Sequence, residues 1–187
     1  MGSTNVKGFW EWLRDQYSIE NPKRTMGMDT ISEQRLSEVH PLLAAKIRTL
    51  SDILISQNPS VILRVTQGLR TWDEQQALYD SGRTTPGPIV TEAPAGYSYH
   101  NFGLAVDVVP MVALAPDWDV THPVWRNIVD TGVSLGLNSG ALWRTFKDWP
   151  HFQLTGNLPI SPTPIVRQIY TTEGIFGVWK ATGLESA

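Results

Sequence analysis

The sequence predicts an α+β domain in which helices come first and short strands follow. Three observations support this class. Apolar residues recur at helical spacing over residues 41–57, they alternate over Val61–Thr66, and long loops rich in glycine and proline separate the later elements. A chain of 187 residues fits one domain with its own hydrophobic core.

Two helices are predicted before the first strand. One covers residues 5–18, and the other begins at Pro41, which suits a first helical turn, and ends near Gln57. Residues 20–32, between them, are mostly polar and are expected to form a loop. The apolar positions at helical spacing are Phe9, Trp10, Leu13 and Tyr17 in the first helix and Leu43, Ile47, Leu50 and Leu54 in the second.

The middle of the chain predicts a strand, a helix and a long loop. Val61–Thr66 alternates as a half-buried strand does. Thr71 followed three residues later by Glu74 is a capping-box pattern, which predicts a helix over residues 72–80. Residues 81–97 contain three glycines and three prolines, a composition typical of a loop.

The second half predicts shorter elements. We expect a strand over Leu104–Val109 and a helix that Pro123 opens and that reaches Gly136. Short strands are predicted near residues 141–145 and 151–154, and the tail ends in a weak helix.

Composition excludes several classes of partner and site. The net charge of −3, without a basic run, argues against binding to nucleic acid, which needs a basic face for phosphates. No apolar run reaches the roughly 20 residues of a membrane span, and the N-terminus shows no signal-peptide pattern. Because the chain has no cysteine, a zinc-like ion would have to be held by His, Asp or Glu side chains.

Candidate metal ligands lie at both ends of the segment from His100 to Asp107. Side chains alternate along a strand, so a separation of seven residues would place these two on opposite faces. Gly103 between them is expected to bend or bulge the chain and restore a common face. Asp107 stands in an apolar strand, where a carboxylate needs a partner or a metal ion.

A second candidate segment runs from Asp148 to Leu154. His151 and Gln153 would share one face of a strand, and Pro150 would hold Asp148 and His151 at a set separation. Two histidines and one carboxylate with an open fourth position form a catalytic zinc arrangement. A nearby carboxylate outside the ligand set, here Asp148, is then the natural general base.

The other two histidines are interpreted as structural. His40 stands beside Pro41 at a helix start, and His122 precedes Pro123 in the same way. The cluster of Asp117, Asp119 and His122 imitates a metal site in composition, but it lies in a loop and is interpreted as solvated.

The two metal motifs together carry a family resemblance. Ser98-x-His100-x-x-Gly103-x-Ala105-x-Asp107, followed by Asp148-x-x-His151, resembles the M15 zinc peptidases that act on peptidoglycan. These include VanY-like D,D-carboxypeptidases and L-alanyl-D-glutamate endopeptidases, some of them phage endolysins. The resemblance covers roughly residues 36–156 and extends through Thr66–Arg70, the helix around Gln75, Gly82–Thr84 and Trp143–Leu154.

The resemblance implies a fold and roles for individual residues. The fold would be a small antiparallel sheet with helices packed on it, as in the Hedgehog signalling domain and the D,D-peptidases. His100, Asp107 and His151 would bind one Zn²⁺, Asp148 would be the catalytic acid and base, and Arg70 would stabilise the oxyanion. Residues expected to contact substrate are Ser98, Gln75 and Arg83.

Three regions follow from the same comparison. Residues 1–35 would be an extension of helix and loop, residues 36–156 the zinc peptidase domain, and residues 157–187 an extension packed on that domain. Binding of wall polymer by this last extension is the alternative.

The resemblance implies hydrolysis of a bond in peptidoglycan stem peptides. L-alanyl-D-glutamate endopeptidase is the favoured activity, because Asp148 and the size of the domain fit that branch. D-alanyl-D-alanine carboxypeptidase is the first alternative, and a non-catalytic, zinc-containing wall-binding or signalling module is the second. A monomer is expected, made in the cytoplasm and acting on the cell wall or in the periplasm by an unspecified route.

Overall fold

The computed structural model describes residues 27–184. The helix predicted over residues 5–18 therefore lies outside the described residues. Within residues 27–184, five α-helices and five short strands follow one another in the order α1-α2-β1-α3-β2-β3-α4-β4-β5-α5. The helices are α1 (Thr30–Leu36), α2 (Pro41–Gln57), α3 (Trp72–Asp80), α4 (Pro123–Ser134) and α5 (Pro164–Ala181). The strands are β1 (Val61–Gln67), β2 (Ala105–Val112), β3 (Ala115–Pro116), β4 (Asn138–Ser139) and β5 (His151–Gln153).

The strands form one antiparallel sheet in the order β1-β2-β5-β4, and β3 pairs with the end of β2. The central strand β2 has Asp107 opposite Gln67 of β1 on one side and opposite His151 of β5 on the other. The register of the sheet thus places two of the candidate ligands side by side. The α+β class with a small antiparallel sheet is confirmed.

Most predicted helix boundaries are confirmed because local signals set them. Pro41 begins α2, and the ring Nδ1 of His40 caps it by accepting from the amide of Leu42. At α3, Thr71 and Glu74 form the complete capping box that the sequence indicated.

Two local predictions were wrong. Helix α1 starts inside the predicted loop 20–32, because the Asp29 carboxylate accepts from the amide of Ser32 and caps it. The strand predicted near residues 141–145 is replaced by a 3₁₀ helix, Gly140–Leu142. The Ser139 hydroxyl accepts from the amide of Ala141 and starts that turn, so the strand pairing ends at Ser139.

The core has two main parts. The larger joins α2 to the sheet and α4, with Leu43, Ile47 and Leu50 fully buried. Burial of each such side chain contributes about 1.5–3 kcal/mol relative to exposure. Among residues 27–184, none of the helices combines the length and apolar character needed to cross a bilayer.

The second part of the core joins the C-terminal helix to the segment that carries His100. Tyr99 and Phe102, which flank it, pack with Val166 and Val178 of α5. The Trp179 indole also donates to the carbonyl of Phe102 at 2.7 Å. Helix α5 therefore packs against the segment that positions His100.

Candidate metal centre

His100 lies on a 3₁₀ helix, Tyr99–Phe102, and not on a strand. Gly103 ends this helix in the left-handed conformation, with φ of 62°, and β2 begins two residues later at Ala105. The expectation that Gly103 bends a single strand carrying both ligands was therefore wrong in its mechanism. The common orientation of His100 and Asp107 arises because a helical turn precedes the strand, and glycine adopts the positive φ that joins them.

Three side-chain atoms meet at the centre of the site. Nε2 of His100 lies 3.2 Å from Oδ1 of Asp107 and 3.2 Å from Nδ1 of His151, and those last two atoms are 3.3 Å apart. Four ligands at about 2.0–2.1 Å and tetrahedral angles would be separated by roughly 3.3–3.4 Å. The triangle therefore has the size of one face of a tetrahedral zinc site. Among the described residues this is the group of His, Asp and Glu side chains arranged to hold a metal ion.

In each of the two histidines, the ring nitrogen that points away from the triangle is hydrogen-bonded to another group. Nδ1 of His100 lies 2.8 Å from the carbonyl oxygen of Gly68, to which it must donate. Nε2 of His151 lies 3.1 Å from the amide oxygen of Gln153, and the amide nitrogen of Gln153 donates to the carbonyl of Ile160 at 2.8 Å. When both histidines are neutral, Nε2 of His100 and Nδ1 of His151 therefore present lone pairs, and together with Oδ1 of Asp107 they form three acceptors that one metal ion satisfies at once.

Arg70 lies beside the other oxygen of Asp107. Its Nη2 is 3.3 Å from Oδ2, and its Nη1 donates to the amide oxygen of Gln75 at 2.8 Å. Gln75 is fully buried and donates in turn to the carbonyl of Ala93. Gln75 thus lies behind Arg70, and it holds the guanidinium in place against the ligand carboxylate.

Charge keeps the Asp107 carboxylate ionised. Burial alone would raise its pKa, but His100 and His151 outweigh burial and hold the pKa well below its usual value. For His151, burial acts to lower the pKa, and Asp107 and Asp148 more than compensate, so the pKa lies above its usual value. A proton and a metal ion therefore compete for Nδ1 of His151.

Asp148 sits on the turn that leads into β5. Its backbone amide donates to the carbonyl of Gly140 at 3.0 Å, and its own carbonyl accepts from the amide of His151 at 3.3 Å. The side chain is half-buried in the wall of the cleft. Burial, and then the charge of Asp107, raise the pKa of Asp148, which makes it a stronger base than an ordinary aspartate.

Gly140 lets the two arms of this turn approach each other. A Cβ at this position would lie 2.5 Å from the carbonyl oxygen of Asp148 and 3.0 Å from Cβ of His151. Any larger residue would push at least one of these two residues away from the site.

The centre opens into a cleft of about 900 Å³. The three candidate ligands line this cleft, and so do the side chains of Asp148, Arg70 and Ser98. This volume is within the range of small-ligand sites, roughly 300–1,000 Å³.

The three residues expected to contact substrate occupy different places. Ser98 is in the cleft wall, where its hydroxyl also caps the 3₁₀ helix of His100. Gln75 lies behind Arg70, outside that wall. Arg83 binds the carbonyls of Tyr79 and Thr91 and pairs with Glu92, and it therefore supports the loop that forms one side of the cleft.

Sequence reasoning missed the residues that orient the ligands. Gly68, Ile160 and Gly140 act through backbone groups or through a missing side chain, so no residue type marks them. Gln153 had a signal, since it shares the strand face of His151, but its hydrogen bond was not foreseen. Trp143, whose ring centroid is 4.9 Å from that of His151, forms the adjacent wall.

The remaining histidines have structural partners, as predicted. His40 is buried against the ring of Trp179. His122 is exposed and pairs with Asp117 at 2.9 Å, and Asp119 accepts from Thr121.

Comparisons with known proteins relate the chain to peptidases of peptidoglycan. A family model of M15 peptidases, described as D-alanyl-D-alanine carboxypeptidase, matches residues 91–154, and the VanY model, of the same description, matches residues 37–122. The peptidoglycan L-alanyl-D-glutamate endopeptidase CwlK of Bacillus subtilis (strain 168) is 33% identical over 156 residues, which are 79% of this chain and 88% of that protein. The crystal structure of the L-Ala D-Glu endopeptidase ChiX of Serratia marcescens matches with a TM-score of 0.51 and 30% identity, over 72% of this chain and 94% of that one.

Proposed function

This chain belongs to the M15 family of peptidoglycan peptidases, and from that premise we propose that it is a zinc-dependent L-alanyl-D-glutamate endopeptidase. The curated relative and the solved structure reported above are both endopeptidases of this specificity. The substrate would be the stem peptide of peptidoglycan, and the site of action the cell wall.

One observation carries the proposal: three lone pairs, on His100, Asp107 and His151, converge in a triangle of tetrahedral size. Nitrogen and carboxylate donors in this ratio suit zinc and leave a fourth position for water. When bound there, zinc would supply Lewis-acid polarisation of the scissile carbonyl and of the attacking water.

The proton transfers fall to Asp148. Its carboxylate, in the cleft wall and with a raised pKa, accepts a proton from the attacking water. As the peptide bond breaks, the same carboxylic acid returns that proton to the nitrogen of the leaving amine. The turn held by Gly140 keeps Asp148 next to His151, so the base stays close to the point of attack.

Arg70 has two roles in the proposed reaction. Its contact with Oδ2 orients Asp107, so that Oδ1 faces the metal position. Because it also lines the cleft, its charge stabilises negative charge that develops on the carbonyl oxygen of the substrate.

The cleft favours an endopeptidase over a carboxypeptidase. A carboxypeptidase must bind the terminal carboxylate of its substrate, which calls for a free cationic side chain. Among the described residues that line the cleft, Arg70 is the single Arg or Lys, so one guanidinium would have to serve both the developing oxyanion and a terminal carboxylate.

D-alanyl-D-alanine carboxypeptidase remains the second candidate, because both matching family models carry that description. Digestion of purified peptidoglycan by the zinc-loaded protein, followed by mass spectrometry, separates the two. We expect disaccharide-L-alanine and peptides that begin with D-glutamate. Release of terminal D-alanine alone would identify a carboxypeptidase, and no released fragment would exclude both activities.

A further inference from the structure

One tryptophan on the rim of the cleft is unusually exposed. Trp118, in the loop between β3 and α4, lines the cleft and leaves 55% of its surface open to solvent. A large apolar ring held open to water beside a catalytic cleft indicates a contact surface for a ligand.

The loop that carries Trp118 is held by three interactions of the neighbouring residue Asp117. The backbone amide of Asp117 donates to the carbonyl of Pro110 at 2.9 Å, and the indole of Trp125 donates to the carbonyl of Asp117 at 3.0 Å. The Asp117 carboxylate pairs with His122 at 2.9 Å. Asp117 and His122, which imitate a metal site in composition, therefore hold the loop backbone next to Trp118.

The position of this loop sets the distance from the reacting bond. The loop is hydrogen-bonded to Pro110, which follows Asp107 by three residues along β2. Three residues of a strand span about 10 Å of backbone. The backbone of this loop therefore lies about three residues along β2 from Asp107, and Trp118 is placed to contact a part of the substrate next to the scissile bond.

In peptidoglycan, the first L-alanine is joined to the lactyl group of the muramyl sugar. One residue and the lactyl linker, each about 3.5 Å long, place the sugar ring about 7 Å from the L-alanyl carbonyl. That length is of the same order as the separation of the loop backbone from Asp107 along β2. Resting on the proposed function, we propose that Trp118 forms a subsite for the muramyl sugar of the glycan strand, whose C–H face stacks on the indole ring.

Other aromatic rings on the rim fit an uncharged ring-shaped ligand. Tyr97 lines the cleft with 49% of its surface exposed, and one face of its ring is covered by the guanidinium of Arg167 at 4.0 Å. Phe146 also lines the cleft and is 37% exposed. Arg70 is the single Arg or Lys among the described lining residues, which suits a neutral sugar better than an anionic polymer.

Two substrates test the proposal: a disaccharide-tetrapeptide and the same tetrapeptide without its sugars. We expect Trp118→Ala to lower kcat/KM for the disaccharide-tetrapeptide by about tenfold and to leave the free tetrapeptide within about twofold. Trp118→Phe, which keeps an aromatic face, should retain most of the activity. Equal loss on both substrates, or no loss on either, would overturn the subsite.

A matched control and a binding measurement keep this test separate from the proposed activity. Ile165→Ala removes an apolar side chain that is 67% exposed on α5, outside the cleft lining, and should change neither rate. Chitotetraose should shift the indole NMR signal of Trp118 in the wild-type protein, and an unshifted signal contradicts the subsite. A wild-type protein that binds chitotetraose but cuts neither substrate between L-alanine and D-glutamate refutes the proposed function, and the shift then stands on its own.

Discussion

The amide oxygen of Gln153 lies 3.1 Å from Nε2 of His151, and it sets the direction in which that histidine presents its lone pair. The carbonyl of Ile160 fixes the amide by accepting from its nitrogen. The orientation of one candidate ligand thus depends on a segment outside the sheet.

Replacement of Gln153 tests this dependence. We expect Gln153→Ala to weaken zinc binding by about 10–100-fold, because His151 loses the acceptor that fixes its tautomer. Competition with a chromogenic chelator measures the Kd. Gln153→Glu keeps an acceptor and should bind zinc more tightly than the alanine variant. Equal affinity in wild type and Gln153→Ala would contradict the role.

Asp148 should be required for the reaction and not for the metal. Asp148→Asn cannot accept a proton, so we expect kcat to fall by about 10²–10⁴-fold while the zinc content stays at one ion per chain. His151→Ala is the contrast, because it should lose zinc in elemental analysis. Full activity of Asp148→Asn, or stoichiometric zinc in His151→Ala, would contradict these assignments.

Gly140 is expected to tolerate no side chain. In Gly140→Ala the new Cβ would collide with the carbonyl oxygen of Asp148, which is backbone and moves only with the turn. Both zinc affinity and kcat should fall. Gly132→Ala, whose Cβ would meet the ring of Phe152, is the control that destabilises the core. If Gly140→Ala were less stable but kept the zinc affinity and kcat of the wild type, the close contact between Gly140 and Asp148 would have no role in the site.

His40 should make stability depend on pH. Burial lowers its pKa from 6.5 to about 4, so the unfolded state takes up a proton before the folded state does. Stability is therefore complete above pH 6.5 and declines as the pH falls towards 4, by up to about 3 kcal/mol. His40→Asn keeps a helix-capping side chain and should show a flatter profile. Urea unfolding of both zinc-free proteins from pH 4 to 7 measures the difference, and parallel curves would refute it.

Local signals in the sequence predicted much of the fold. Thr71 and Glu74 are three residues apart, so their capping box requires nothing beyond its own turn. The strand expected near residues 141–145 failed because Ser139 caps a 3₁₀ turn, an alternative that residue types alone do not distinguish.

The sequence predicted the candidate metal ligands but not the groups that orient them. His100, Asp107 and His151 were identified through side chains that metals require, and the structure brings all three together. Gly68 and Ile160 orient those side chains through carbonyl oxygens contributed from distant segments, which every residue type offers equally. Backbone groups that orient metal ligands therefore leave no mark in the sequence.

Anomalous diffraction at the zinc edge, from crystals of the zinc-loaded protein, tests the central claim most directly. The ligand assignment predicts a single strong peak about 2.0–2.2 Å from Nε2 of His100, Oδ1 of Asp107 and Nδ1 of His151. A peak at any other position, or coordination of His151 through Nε2, would contradict it.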